Sequence, residues 1–586
     1  MKQTNDSPNQ IDVSRVKRLQ RALSCQLPRM DHQVNTLRPS EFKRRFPSRI
    51  VFAALIMLQL AIVIGTCLSA GTNLQWFWTI SAFVPALVVC LVMPDKKHVL
   101  PSLLLLFISQ QAAFVFLNPS WGFSYGSDPI NDFQTAELIS ENAHFQLGQL
   151  GYSTRLSYSY YPMLHIFSAA FQHVSGLQLT TIAVYLVPFL NALMVTLMLY
   201  YLNHDLFGLE GRTLNIATLL FQMSFYYTSF DSQFVRESFA FPLVLFSLWI
   251  ATRIGSTQFA RDGRKYVVIT VISFAVVVLS HQISSYLLLA ILAIMALGLR
   301  TFHRNSRLIL PLLLMVTVLG AYTLFVTASF SVKEGIMALE GLQAIFQREG
   351  SPTIQRLGDP IARDLGYTQY VIIAVLLLIG GLLLLRRKKK NWMVITLLSF
   401  FLLAFVLCLV LRLSTPADPW SFTYYMSLRG TIWAFLGISV VAALGMAVVF
   451  RLNEVSRKSF VVLTIIVCIL AAGKFAQYGP IVTGSTDLPL TYDRYVSAQW
   501  LKLYSIHESP ILVAPSNETD AFEGSRSIAP YAYLKEYFLD EEHGRIYTKF
   551  QGYIPFIDAY FEQYKNLTGV NTLYCNGNTS IGTNLP

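Results

Sequence analysis

The chain is short of charge: of its 586 residues only 13% are Asp, Glu, Lys or Arg, against 54% that are hydrophobic. A soluble protein carries about a quarter charged residues, so soluble dinucleotide-binding, TIM-barrel and nucleic-acid-binding architectures are poor descriptions of this sequence. Cysteine is also scarce. Cys67, Cys90, Cys408 and Cys468 lie inside apolar runs, Cys25 and Cys575 stand alone, and no CxxC or other metal-ligand spacing occurs, which excludes a cysteine-built metal centre. An early apolar segment is missing as well. The first one begins near Ile50 and is about 20 residues long, too late and too long for a cleavable signal peptide, so it is expected to anchor the chain permanently. No internal repeat of the kind found in inverted-repeat transporters is evident.

The net charge is +12, but residues 1–49 hold eleven Lys/Arg against four Asp/Glu and supply +7 of it. This reads as a basic cytoplasmic arm and not as a nucleic-acid surface. Within it, Arg15, Lys17, Arg18 and Arg21 alternate with Val16, Leu19 and Leu23, a pattern that suits either an amphipathic segment on anionic lipid or a disordered tail.

Apolar runs long enough to approach a membrane span of roughly 20 residues fall at 50–70, 74–93, 99–117, 179–202, 214–229, 237–252, 266–280, 284–300, 308–329, 370–385, 391–411, 430–450 and 459–473. The expectation is a mainly α polytopic bundle of about 13 spans. Loops 94–98, 203–213, 253–265, 300–307, 386–390 and 451–458 carry 18 Lys/Arg, whereas the alternate loops carry eight in far more sequence. By the positive-inside rule the N-terminus is then cytoplasmic and the C-terminus external. The stretch from Tyr161 to Gly176 is apolar, but counting it as a span would invert every later loop, so it is expected to lie along the outer surface as a helix.

Four parts follow: the arm 1–49; a two-helix hairpin 50–98; a transmembrane domain 99–474 with large outer loops 118–178 and 330–369; and an external α/β domain 475–586. The last has a helix-like segment at 493–505, a strand-like Pro510–Pro515, and N-glycosylation triplets at Asn517, Asn566 and Asn578. Loop 330–369 alternates charged and apolar residues, as interfacial gating segments do.

Chemistry concentrates in Gly126-Ser127-Asp128-Pro129-Ile130-Asn131-Asp132. Asp128 and Asp132 are four apart and share a helical face if both are helical. Such a pair can hold a divalent cation, Mg or Mn, or one can take a proton from an attacking hydroxyl. The plainer alternative has Asp128 capping the helix and Asp132 solvated. Tyr158, Tyr160 and Tyr161 follow, aromatic faces suited to sugar rings and equally at home in the interfacial belt.

The order of these features resembles the GT-C superfamily of polytopic glycosyltransferases, which includes protein O-mannosyltransferases, aminoarabinose transferases and the catalytic subunit of oligosaccharyltransferases. The match is a membrane helix at 99–117, the acidic motif Gly126-Ser127-Asp128 with Asp132, and a surface helix entered through Tyr161-Pro162-Met163-Leu164-His165. The chain departs from it in having no adjacent Asp-Glu pair in the loop, no Trp-Trp-Asp motif after 475, and two extra spans before residue 99. The resemblance implies sugar transfer from a polyprenyl-phosphate-linked donor to a glycan, lipid or protein acceptor on the outer face. It makes Asp128 the catalytic carboxylate with Asp132 second, and sets Tyr158, Tyr161 and His165 toward the sugar or acceptor.

A lipid-phosphate donor needs cations at the outer mouth. Arg236, Arg412 and Arg429 sit at outer ends of spans, and His281 lies in a turn between two; all four are donor-phosphate candidates. Competing readings pair Arg236 with Glu237 or Asp231 and let Arg412 and Arg429 reach lipid headgroups. For the whole chain the alternatives are a transporter or lipid flippase, to which Gly380-Gly381 would lend a broken helix, and a non-catalytic envelope-assembly protein.

Overall fold

The computed structural model describes residues 48–69, 73–115, 127–144, 160–224, 227–228, 231–255, 259–303, 307–328, 331–332, 336, 360–386, 392–414 and 422–476, and four short strands after residue 511. Residues 1–54 and 55–586 form two compact units. Of the first, only 48–54 are described, the opening turns of α1 (Ser48–Leu68).

From α1 the chain runs through α2 (Asn73–Ser81), α3 (Phe83–Val92), α4 (Lys96–Val115), α5 (Ser127–Asn142) and α6 (Met163–Ser175) to α7 (Leu179–Asp205) and α8 (Gly211–Phe221). It continues as α9 (Arg236–Gly255), α10 (Phe259–Ser280), α11 (Gln282–His303), α12 (Ile309–Phe325), α13 (Pro360–Arg386), α14 (Trp392–Ser414), α15 (Phe422–Val449) and α16 (Arg457–Ala476). Nine helices among the described residues are long and apolar enough to cross a membrane, with α12 and the apolar part of α14 shorter. The protein is an integral membrane helix bundle. The apolar stretch 163–175 is a separate 13-residue helix, ended by Gly176 at φ +71°; a left-handed residue there costs glycine least.

Two departures from regular helix have local causes. In α7, residues Ile182–Leu186 form a π turn immediately before Pro188. Proline has no N–H and its ring crowds the carbonyl four residues back, and the wider turn relieves both.

The run expected to span 214–229 is not one helix. Its regular part, α8, stops at Phe221 and the chain turns at 222–223. Eleven residues reach about 16 Å, half of the roughly 30 Å hydrocarbon core. Irregular backbone at that depth survives only where protein satisfies it, and here α4 and α16 do so. Lys474 is fully buried and donates to Gln110 Oε1, the Gln222 carbonyl and Thr228 Oγ1. Gln110 donates to Gln222 Oε1 at 3.0 Å, and Gln222 to the Leu103 carbonyl at 3.1 Å. Gln111 holds the Asp231 carboxylate at 2.6 Å and the Pro188 carbonyl at 2.8 Å.

The opposite end of the bundle is tied by Arg212, which donates to the carbonyls of Leu91 and Leu452, and by Asp205, which accepts from Trp249 and Arg253. These contacts gather four of the basic loops, 94–98, 203–213, 253–265 and 451–458, or their immediate flanks, at one end.

Gly380-Gly381 breaks nothing: α13 is continuous through both. A Cβ at Gly380 would collide with the Val441 carbonyl, and one at Gly445 with the Leu376 carbonyl. Glycine therefore sets the closeness of α13 to α15, as small residues do where membrane helices touch. Helix α13 begins at Pro360, ten residues before the apolar run at 370, and most of loop 330–369 lies outside the described residues.

After residue 511 a four-stranded sheet has the order β1 (Leu512–Val513), β2 (Ile546–Phe550), β4 (Thr579–Thr583), β3 (Asn571–Cys575). β1 pairs parallel with β2, which pairs antiparallel with β4 from Ile546↔Thr583 to Phe550↔Thr579. β1 falls within the strand-like Pro510–Pro515. The helix expected at 493–505 and the sites at Asn517, Asn566 and Asn578 lie outside the described residues.

The glycine seam predicts that Gly380→Ala or Gly445→Ala lowers stability by about 1–3 kcal/mol. Gly381→Ala, whose Cβ would meet nothing within 4 Å, leaves it unchanged. Thermal unfolding of the three purified variants measures this.

Candidate functional site

Helix α5 carries Asp132 five residues from its start, beside Phe133 and Ala136 on the face that meets α6. Phe133, Ala136, Leu164, Ile182, Val187 and Phe234 form one apolar cluster, so the Asp132 carboxylate is left at 1% exposure. Two hydrogen bonds and an ion pair hold it there. Oδ1 accepts from His165 Nε2 at 2.8 Å and pairs with Arg236 Nε at 3.0 Å, while Oδ2 accepts the backbone N–H of Arg236 at 3.2 Å. Arg236 is the first residue of α9, where backbone N–H groups have no intrahelical partner and the helix dipole favours an anion. Asp132 thus caps α9 and neutralises its first side chain.

His165 is fully buried, and burial holds its protonation below the usual histidine range despite Asp132. Since Nε2–H is given to the carboxylate, the neutral ring leaves Nδ1 as a bare lone pair, buried and without a hydrogen-bond partner. Tyr161, also buried, lies under the Arg236 guanidinium at 5.9 Å and against Tyr322 at 6.3 Å between centroids. Its phenol is pushed upward by burial and meets Thr327.

Helix α15 brings a second arginine. Arg429 Nε pairs with Glu237 Oε2 at 3.0 Å, the two side chains being 12% and 6% exposed. One turn further along both helices, Trp433 packs edge-on against Phe241 at 5.2 Å, so α9 and α15 meet here in successive rungs.

His281 precedes α11 and acts as its N-cap: the Ser284 N–H donates to Nδ1 at 3.3 Å, and Ser284 Oγ lies 2.9 Å away. A backbone N–H can only donate, so Nδ1 is the acceptor and the neutral ring carries its proton on Nε2. Burial first, then the positive fields of Arg429 and Arg236, hold His281 well below its ordinary protonation range. His281 therefore lies in the fields of both Arg236 and Arg429, and Arg236 is met by Asp132 and Tyr161, with His165 on the same carboxylate.

These pairings differ from the simpler alternatives open in the sequence. Asp132 is buried, not solvated; Arg236 pairs with Asp132; and Arg429 pairs with Glu237. Asp128 stands in the first turn of α5 and Arg412 near the end of α14, but their side chains are outside the described residues, as is Tyr158 altogether. Glu237 was absent from the candidates; its signal was an Arg-Glu doublet at the head of an apolar run. Among the described residues no three His, Cys, Asp or Glu side chains gather as a metal-ligand set. Asp132, with both oxygens accepting from Arg236 and His165, is not disposed as a cation ligand.

His281 predicts a pH effect with a definite sign. Its folded protonation is depressed below the ordinary histidine range, near pH 6.5, so in acid the unfolded chain binds more protons. Stability is then complete above about pH 6.5 and is lost as pH falls below it. Melting temperature against pH should show this fall, and His281→Gln should flatten it.

No family model matches the chain, and no curated protein does. Among solved structures, it is similar to ArnT from Cupriavidus metallidurans bound to undecaprenyl phosphate, with 12% identity over 82% of this chain and 97% of that one and a TM-score of 0.49. It is also similar to the Archaeoglobus fulgidus oligosaccharyltransferase in complex with zinc and sulfate, at 12% identity over 78% and 61% of the respective chains, TM-score 0.45. The oligosaccharyltransferase AglB of the same organism, with an inhibitory peptide and a dolichol-phosphate, gives 15% identity over 79% and 64%, TM-score 0.40.

Proposed function

We propose that this protein is a membrane glycosyltransferase that moves a sugar from a polyprenyl-phosphate-linked donor to an acceptor on the outer face of the membrane. The acceptor is a cell-envelope glycan, a glycolipid or a glycoprotein. The observation that carries the reading is that His281 lies in the fields of both Arg429 and Arg236 at one end of an apolar bundle.

That donor set matches the charge change of the reaction. An acceptor oxygen forms a bond to the anomeric carbon, the bond from that carbon to the phosphate oxygen breaks, and the phosphate leaves with the electron pair. A phosphodiester with one negative charge becomes a phosphomonoester that gains a second. Two guanidinium groups and an imidazole N–H therefore bind the departing phosphate more strongly than the intact donor, which is the condition for speeding the step. A neutral His281 suits the task, because it donates a hydrogen bond without repelling the arginines.

The acceptor proton goes to Asp128 as general base, or to a base that Asp128 positions. Asp132 supports the site from behind by fixing Arg236 at the head of α9. Tyr161 and His165 support the site through the same arginine, Tyr161 meeting Arg236 and His165 meeting Asp132.

Two features weigh against a transporter or flippase: α13 is continuous through Gly380-Gly381, and Lys474, the buried cation beside the break after Phe221, donates to three protein oxygens that hold the break in place.

The test is sugar release from a panel of radiolabelled polyprenyl-phosphate sugars by the purified full chain in lipid. Arg429→Gln is expected to lower the rate about 100-fold or more, and Asp128→Asn to abolish it. Turnover that survives Asp128→Asn would remove the base assignment, and Arg429→Gln turning over at the wild-type rate would contradict the phosphate site.

A further inference from the structure

The first turn of α11 and the chain just after α12 hold a run of hydroxyl and amide groups that starts beside Arg236. Tyr161, which lies under the Arg236 guanidinium at 5.9 Å, meets Thr327. From there the contacts continue without a gap. Thr327 Oγ1 lies 3.1 Å from Ser331 Oγ, Gln282 Nε2 donates to Ser331 Oγ at 3.4 Å, and the same nitrogen donates to the Tyr286 hydroxyl at 3.3 Å. Tyr286 is itself within electrostatic reach of the Tyr161 phenol, so the run returns to the residue from which it began.

Its last two members differ from the rest. Thr327 is buried, whereas Gln282 is half-buried and Tyr286 is 39% exposed. An amide has a donor end and an acceptor end, and a phenol both gives and accepts. Gln282 gives its nitrogen to Ser331 and Tyr286 at distances beyond the usual range of about 2.7–3.2 Å, while its Oε1 has no partner among the described residues. The Tyr286 oxygen accepts from Gln282, and its own O–H has no acceptor among the described residues. One turn of α11 thus presents an open acceptor and an open donor side by side, four residues apart on one face. A tyrosine that served only as an interfacial anchor would need no such neighbour.

The turn is also placed where the donor's sugar belongs. Gln282 directly follows His281, which lies in the fields of Arg236 and Arg429, so a phosphate held by those three groups brings its sugar to the start of α11. We infer that Gln282 and Tyr286 form the donor-sugar subsite: one ring hydroxyl donates to Gln282 Oε1 and the neighbouring one accepts from the Tyr286 O–H. The ligand class is a sugar with two adjacent free hydroxyls, carried on a lipid phosphate. Ser331, Thr327 and Tyr161 support the pair from behind and connect it to Arg236. Neither Gln282 nor Tyr286 makes or breaks a bond in the transfer. They determine specificity, because a sugar lacking either hydroxyl would leave a polar group of the site facing it unpaired, and sites built to hydrogen-bond a substrate hydroxyl reject the analogue without it.

The subsite rests on the phosphate-binding reading of Arg236, Arg429 and His281. The experiment is binding to the purified full chain in lipid nanodiscs, with undecaprenol, undecaprenyl phosphate, and the undecaprenyl-phosphate esters of glucose, mannose and galactose as probes. Wild type, Tyr286→Phe and Gln282→Leu are compared after a thermal-melt check of folding. In wild type one or more of the sugar esters is expected to bind about ten-fold more tightly than undecaprenyl phosphate. Tyr286→Phe and Gln282→Leu should each cut that gain by about three- to ten-fold and leave the binding of undecaprenyl phosphate at the wild-type level. Tyr286→Phe removes one oxygen and keeps the ring, so it decides alone should Gln282→Leu fail to fold.

A gain that survives in both variants, or no gain for any of the three esters in wild type, would overturn the subsite and leave the phosphate site standing. Loss of undecaprenyl phosphate binding in step with the sugar esters would overturn it too, making the two residues structural supports. Wild-type binding that does not distinguish undecaprenyl phosphate from undecaprenol would overturn the phosphate reading itself.

Discussion

The site depends on one buried carboxylate. Asp132 lies in an apolar pocket formed by α5, α6 and the approach to α9, where a lone negative charge would cost several kcal/mol. It is stable there because an arginine side chain, a backbone N–H at a helix start and an imidazole N–H all converge on its two oxygens. The same contacts work in reverse: they fix where α9 begins, which way Arg236 points, and which nitrogen of His165 carries the proton. Position 237 then follows one residue on, and through its pair with Arg429 the head of α15 is drawn to the same place. Two arginines from segments nearly 200 residues apart in sequence are registered against each other by a single anchored acid.

The rest of the bundle serves as a stiff mount for that end. The crossing that contains α8 is irregular; its Gln222 carbonyl accepts from Lys474 and its Met223 carbonyl from Gln369, while Gln110 and Gln222 side chains link it to α4 and α16. This network holds Gln222, Thr228 and Asp231, on the approach to Arg236. On the far side, α13 and α15 meet backbone to backbone at Gly380 and Gly445, which sets the position of the helix carrying Arg429. Polar satisfaction holds one arginine's approach, and steric closeness holds the other's.

Much of this was legible in the sequence. Low charge density, the apolar runs and the basic loops indicated a polytopic bundle, and 163–175, kept apart from the spans by charge alternation, is a separate 13-residue helix. Arg236, Arg429 and His281 stood out because charged and titratable groups at apolar boundaries are rare. What could not be read was partnership. Asp132 and Arg236 are 104 residues apart, and Asp132 looked like the mate of Asp128 because helical spacing is visible in sequence while tertiary pairing is not. Glu237 looked like a neighbour of Arg236 when its partner was on another helix. The break after Phe221 was hidden for a similar reason: an apolar run resembles a span, and the side chains that make a broken one tolerable come from residues 110, 111 and 474. Gly380-Gly381 misled in the other direction, since glycine in a membrane helix signals either a break or a close approach, and only the neighbouring helix decides.

The account turns on Asp132 and Arg236 acting as one unit. The direct measurement is a double-mutant cycle on unfolding free energy with Asp132→Asn, Arg236→Gln and both together. If the buried pair anchors the site, each single change costs about 3–5 kcal/mol while the double costs little more than either one. Additive losses, with no coupling between the two positions, would show that Asp132 and Arg236 contribute separately and would contradict the claim that one carboxylate organises this end of the bundle.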